Sequence, residues 1–266
     1  MIRKRKMSKT IKRVVIKVGT SSLTYDTGKL NIKTIEKLVR VISDLKNRGI
    51  EVVLVSSGAI GAGVGKLGLS EKPQDTRKKQ ALAGIGQATL VSIYDRFFSE
   101  YGHTSAQVLL TKFILEEESR YNNTKNTFET MFEYGVIPIV NENDVISTYE
   151  IEFGDNDTLS AYVAELVDAD LLVILSDIDG FYDGNPAENP DAKLIPVVCE
   201  INDEILALAG GAGTKRGTGG MQTKLSAAKI VMEKGIDMII TNGARVENIY
   251  DIVDGKSVGT LFKAKS

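Results

Sequence analysis

Short runs rich in Val, Ile and Leu recur along the chain, each followed by a segment whose apolar residues come every three to four positions. A strand buried on both faces reads as a near-continuous apolar run, and a helix lying on a sheet reads as an amphipathic stripe. Their alternation is the pattern of βαβ units. The expected fold class is therefore α/β, a three-layer αβα sandwich around a mainly parallel open sheet. Strands are expected near 14–18, 51–55, 104–110, 136–140, 170–175, 236–241 and 258–262, and helices near 31–48, 76–101, 119–133, 157–168, 220–235 and 246–252. No linker or internal repeat divides the chain, so 13–266 reads as a single domain. Within it, 177–196, with Pro186, Pro190 and Pro196, reads as a long loop.

Composition narrows the class of function. Lys and Arg number 33 against 35 Asp and Glu, which leaves no basic field for nucleic acid. One cysteine, Cys199, and one histidine, His103, argue against a disulfide framework and a zinc site, and a reduced cytoplasmic protein is expected. No apolar run is long enough to span a membrane, and no apolar stretch follows the early charges as a signal peptide would require. Residues 1–12, with Arg3, Lys4, Arg5 and Lys6, are expected to form a disordered basic arm.

Two segments are built to meet phosphate. Gly217, Thr218, Gly219, Gly220, Met221, Gln222, Thr223 and Lys224 lead into the helix expected at 220–235. The glycines let backbone N–H groups close on a polyanion, the threonines add hydroxyls, and the helix offers its positive end. The competing reading is a flexible glycine loop, which does not account for Lys and Thr at a helix start. Lys17 interrupts the apolar run Val14, Val15, Ile16, Lys17, Val18, just before Gly19, Thr20, Ser21 and Ser22. A buried ammonium is costly unless it meets an anion; an edge-strand lysine with its head in solvent is the alternative.

Three familiar patterns do not apply. Gly63, Gly65 and Gly68 match GxGxxG, but the following Ser70–Pro73 does not open a helix as a dinucleotide site requires. Asp177, Asp179 and Glu188 fit positions of a calcium loop in which Phe181 and Tyr182 occupy the places of a ligand and the turn glycine. No GxxxxGK[ST] loop is present. More informative are two polar clusters, Asn141, Glu142, Asn143, Asp144 after an expected strand and Gly154, Asp155, Asn156, Asp157 before an expected helix. Asn156 or Asp157 as a helix cap is the plain explanation, yet two clusters so close in sequence carry more polarity than caps need. Such carboxylates can orient lysines, and Asn/Asp pairs can hold the amino group of a small zwitterion.

Taken together, Lys17–Ser21, Ser56–Ile60, Asn141–Asp144, Gly154–Leu159 and Gly217–Lys224 resemble the amino-acid kinase family over nearly the whole chain and in the family's order. Within it they are similar to the members that phosphorylate the γ-carboxylate of L-glutamate in proline biosynthesis. The resemblance implies ATP and Mg²⁺, with the metal held mainly by ATP phosphates rather than by protein ligands. It implies that Lys17, Ser176, Asp177, Thr218, Gly219, Gly220, Met221, Gln222, Thr223 and Lys224 bind ATP, and that Ser57, Asp144, Asn156 and Asn141 hold glutamate. Lys17, Lys224 and Asp157 are the implied catalytic set, with Asp157 organising the lysines. An N-terminal lobe for glutamate and a C-terminal lobe, about 170–266, for ATP follow from the same likeness. So do a homo-oligomer, dimer or tetramer, and coupling to a reductase that consumes the acyl phosphate. Many such members carry a further C-terminal PUA domain; this chain stops after Val258–Phe262, so a short form without it is expected. Sibling kinases acting on acetylglutamate, aspartate or a nucleoside monophosphate would differ around Ser57, Asn141 and Asn156. A nucleotide sensor without turnover would not need Lys17, Asp157 and Lys224 together.

Overall fold

Among the described residues, eight strands form one sheet: β1 (Arg13–Val18), β2 (Glu51–Ser56), β3 (Ser105–Leu110), β4 (Ile137–Glu142), β5 (Leu171–Ser176), β6 (Val197–Val198), β7 (Asp237–Asn242) and β8 (Thr260–Phe262). The structure is a computed structural model and describes residues 10–146, 155–209 and 220–265. The strand order is β3-β4-β2-β1-β5-β7-β8-β6. Neighbours run parallel except β7 and β8, which pair antiparallel through Ile239 and Leu261. Helices are α1 (Thr20–Leu23), α2 (Ile32–Asn47), α3 (Ala59–Leu67), α4 (Thr76–Glu100), α5 (Glu118–Glu133), α6 (Asn156–Leu166), α7 (Asp203–Ala209), α8 (Met221–Glu233) and α9 (Asn248–Val253).

The inner strands β1, β2, β4, β5 and β7 are buried on both faces, which is why they read as largely continuous apolar runs. Successive side chains of a strand point to opposite faces. Val14, Ile16 and Val18 of β1 accordingly pack with Val52 and Leu54 of β2 under α2, α4 and α9. Val15 of the same strand packs with Val53, Val55, Leu172 and Ile174 under α5, α6 and α8. Two apolar layers result, one on each face of the sheet. Lys17 belongs to the second series, so its side chain leaves the sheet on the side of α6 and α8.

Every strand expected from the apolar runs is present, and the six expected helices appear within a few residues of their predicted limits. Among the described residues five elements were not anticipated: α1, α3, α7, the two-residue β6 and a short 3-10 helix at Lys112–Leu115. Helix α3 is the instructive one, because it contains the very glycines that imitate GxGxxG. A Cβ on Gly63 would lie 2.2 Å from the carbonyl oxygen of Leu82, and one on Gly65 2.3 Å from that of Gly28. Their role is close packing, and Gly68 ends the helix in the left-handed region at φ 64°. The loop expected over 177–196 is pinned by a bridge between Tyr182 and Leu194. Of the basic arm expected at 1–12, residues 1–9 lie outside the described residues. Ile11 is buried, and the Lys12 and Arg13 N–H groups both donate to Asp170, so the packed chain begins before residue 13. No described helix is long and apolar enough to cross a membrane.

Candidate active site

Strand β1 sits where the order of the sheet reverses, with β2 on one side and β5 on the other. Open α/β sheets bind ligands beyond the carboxyl ends of their strands at such a point. Three elements aim charge there. Lys17 comes from β1, paired with Val55 and Ile174 of its neighbours. Asp157 comes from the first turn of α6, whose N-terminus is capped by the Asp155 side chain accepting from the Thr158 N–H at 2.8 Å. Lys224 comes from the first turn of α8.

These three side chains meet. Lys17 Nζ lies 2.5 Å from Asp157 Oδ1, and Lys224 Nζ lies 3.1 Å from Asp157 Oδ2. Asp157 has no exposed surface, and Lys17 and Lys224 are only 8% and 6% exposed. Burial alone would raise the Asp157 carboxyl, but the charges of Lys17 and Lys224 outweigh it and hold the group below its ordinary value. Asp155 behaves oppositely: burial and then the Asp157 charge push its carboxyl up. Thr223 Oγ1 lies 3.0 Å from Asp157 Oδ2 and 2.8 Å from the Gly220 carbonyl oxygen, two acceptors for one hydroxyl proton. Gly220 stands at the N-cap of α8 and, being glycine, supplies no side-chain cap to the first turn. Thr218 and Gly219 lie outside the described residues.

A second group adjoins this centre. Asn156 Nδ2 donates to Ser57 Oγ at 2.8 Å and to Asn141 Oδ1 at 2.8 Å, while Asn141 Nδ2 donates to Gln87 Oε1 at 2.9 Å. Ser57, Asn141 and Asn156, singled out from three separate stretches of sequence, therefore touch. Asp144 lines an adjoining cavity of about 200 Å³ with Gln87, Glu142, Asn143 and Ala59. Lys72, outside the lining of this cavity and exposed at the surface, has its ammonium lowered by partial burial and by Lys79, with Asp144 opposing the fall. Across the centre, at the end of β5, Ser176 is buried and donates to Asp177 Oδ1 at 3.1 Å. Gln87 and Lys72 were not anticipated. Gln87 stands in an Ala/Gly-rich helical stretch that gives no local sign of a polar partner, and Lys72 lies between helices.

The family model for the amino acid kinase family matches residues 12–242. The chain belongs to the amino acid kinase family. Within this family, it is 59% identical to the glutamate 5-kinase of Clostridium perfringens (strain 13 / Type A), over 98% of each chain. It is 53% identical to the glutamate 5-kinase of Clostridium acetobutylicum over 96% of each. It is 55% identical to that of Thermoanaerobacter sp. (strain X514) over 94% of this chain and 67% of that one. The amino acid kinase fold is also seen in solved structures of an isopentenyl phosphate kinase from T. acidophilum (TM-score 0.65, 20% identity, 94% of this chain and 100% of that one) and a UMP kinase from Bacillus anthracis (TM-score 0.65, 16% identity, 97% and 98%). At that identity the likeness is one of fold.

Proposed function

We propose that this chain catalyses ATP-dependent phosphorylation of the γ-carboxylate of L-glutamate, giving L-glutamyl 5-phosphate and ADP, the first step of proline biosynthesis from glutamate. The observation that carries the mechanism is the convergence of Lys17 and Lys224 on one fully buried carboxylate at the N-terminal turns of α6 and α8. The substrate reading is supported by the glutamate 5-kinases to which the chain is 59% and 53% identical.

The nucleophile needs no activation. A glutamate side chain titrates near about 4.3 and is already ionised at neutral pH, so no general base has to be found. What the reaction requires is relief of repulsion between a carboxylate and a triphosphate, in-line positioning, and neutralisation of charge on the phosphoryl group in transfer. Lys17 and Lys224 supply positive charge from two sides, and Asp157 fixes both heads. The C-terminal part of the sheet, with Ser176, Asp177 and the segment from Thr218 to Lys224, takes the nucleotide. Ser57, Asn141, Asp144 and Asn156 take glutamate, with Asp144 facing its ammonium. Both oxygens of Asp157 are engaged by lysines, so the carboxylate is poorly placed as a metal ligand. Mg²⁺ is therefore expected to arrive on the nucleotide phosphates, where it neutralises their charge.

The product decides the reading. Transfer to the γ-carboxylate makes a mixed anhydride, which hydroxylamine converts to the γ-hydroxamate, whereas a phosphate ester does not react. ATP- and Mg²⁺-dependent hydroxamate is expected from L-glutamate, with little from N-acetylglutamate or aspartate and none from UMP. Equal turnover of N-acetylglutamate would contradict the assignment, because its neutral amide lacks the ammonium that the Asp144 carboxylate is proposed to meet.

A further inference from the structure

The amide network beside the lysines has a fixed polarity, and its anchor is a backbone group. Asn141 Oδ1 accepts from the Glu142 N–H at 2.9 Å. A backbone N–H can only donate, so the oxygen of Asn141 must face it and the Nδ2 must face Gln87. The same Oδ1 can then only receive a donor from Asn156, which obliges Asn156 to present its Nδ2. The second hydrogen of that Nδ2 goes to Ser57 Oγ. Both donors of Asn156 are thus spent inside the protein. What remains for a ligand is Asn156 Oδ1, an acceptor, together with the Ser57 hydroxyl proton, a donor. One acceptor beside one donor matches the ammonium and carboxylate carried by a single α-carbon.

Gln87 closes this relay from α4. Asn141 is buried, and without the Gln87 carbonyl its amide N–H would point into the protein without that partner, leaving the Glu142 N–H alone to hold the amide plane. An amide plane held at one end only would swing about the Glu142 N–H and hold Asn156 less firmly. The same helix face, two turns further on, carries Tyr94, whose buried hydroxyl lies 3.0 Å from Ser56 Oγ beside Ser57. Helix α4 therefore braces two of the strand ends that carry the polar residues.

We infer that Gln87 is a positioning residue that sets acceptor selectivity by holding Asn141 so that Asn156 shows its carbonyl oxygen, and Ser57 its hydroxyl proton, to a zwitterionic substrate. The inference rests on the proposed glutamate reaction, and the two fail separately: hydroxamate formation by the wild type tests the reaction, while the variants test the relay. Gln87→Met keeps the length and loses the acceptor. It is expected to raise the glutamate KM about tenfold, leave the ATP KM and kcat within threefold, and shrink the preference for glutamate over glutarate, which lacks the ammonium, by about tenfold. Gln87→Glu keeps an acceptor oxygen whether ionised or not, and is expected to hold both readouts within threefold of wild type. In combination with Asn141→Ala, Gln87→Met is expected to add nothing further. A loss of kcat with unchanged selectivity, a Glu variant as impaired as the Met variant, or additive effects with Asn141→Ala would each overturn the inference. Without any substrate, the Asn156 side-chain N–H protons should exchange slowly by NMR in the wild type and rapidly in Gln87→Met; equal exchange also overturns it.

Discussion

Asp157 is fully buried and holds two largely buried ammonium groups, and removing its charge takes from both of them the carboxylate they share. Asp157→Asn keeps the shape and loses only the charge. By analogy with other preorganised electrostatic groups, kcat should fall about a hundredfold or more while both KM values stay within a few fold. Steady-state kinetics with the hydroxamate assay checks this, and a wild-type kcat would remove Asp157 from the mechanism. The same residue makes a prediction about acid. Its carboxyl titrates lower in the folded chain than the ordinary 3.8, so its pairing stabilises the fold above that value and is lost as pH falls through the lowered one. Asp157→Asn should therefore lose less stability than wild type below about pH 4 in denaturant titrations. Asp155 has the opposite sign: its raised carboxyl means that its charge costs stability at neutral pH. Asparagine caps a helix as well as aspartate. Asp155→Asn should raise the melting temperature at pH 7, and the gain should fade as pH falls toward the ordinary carboxylate value, where the wild-type residue is protonated as well.

Among the elements, the pair α3 and α4 shows what a sequence pattern reveals and what it hides. The apolar stripe of α4 through Leu82, Leu90, Tyr94 and Phe98 announces a helix with one buried face. Helix α3 has no such stripe, since its glycines lower helix propensity and suggest a loop. Their reason is visible only once the partner is in place: a Cβ on Gly86 of α4 would lie 1.8 Å from the Ala59 carbonyl oxygen of α3. Local pattern cannot report a contact made between residues far apart in sequence. Gly86→Ala should therefore destabilise by about 2 kcal/mol or more, in the range of overpacked cores. Gly84, also in α4, is exposed, and a Cβ there meets Val145 Cγ2 at an ordinary 3.5 Å. Gly84→Ala should stabilise by about 0.5–1 kcal/mol through helix propensity. Chemical denaturation of both variants tests the pair, and equal effects would mean that the close approach does not govern this interface. The site follows the same division. Lys17 was legible because an ammonium inside an apolar run demands an explanation, whereas Gln87 was hidden because a glutamine in a helix demands none.

For the whole molecule, the order of the strands decides which charges meet. Lys17 leaves the central strand, Asp157 opens the helix that follows β4 and crosses to β5, and Lys224 opens the helix between β6 and β7, so residues 207 positions apart converge at the reversal of the sheet. This arrangement puts the amide network of Ser57, Asn141 and Asn156 on the β2–β4 side and Ser176 with the start of α8 on the β5–β7 side. In the proposed reaction the lysines would stand between nucleotide and carboxylate, along the path of the phosphoryl group. Their charge then acts mainly on the group in flight and little on glutamate at rest. Lys17→Ala and Lys224→Ala should each cost roughly 3 kcal/mol or more of barrier, with the glutamate KM within a few fold of wild type. Because both lysines are held by one carboxylate and serve one phosphoryl group, the double variant should fall well short of the product of the two single losses. Arginine should be a poor replacement at Lys17, since a planar fork cannot occupy the place of a compact ammonium 2.5 Å from Asp157 Oδ1. Single-turnover rates at saturating ATP and glutamate separate these effects from binding, and multiplicative losses in the double variant would show that the two lysines act on different steps.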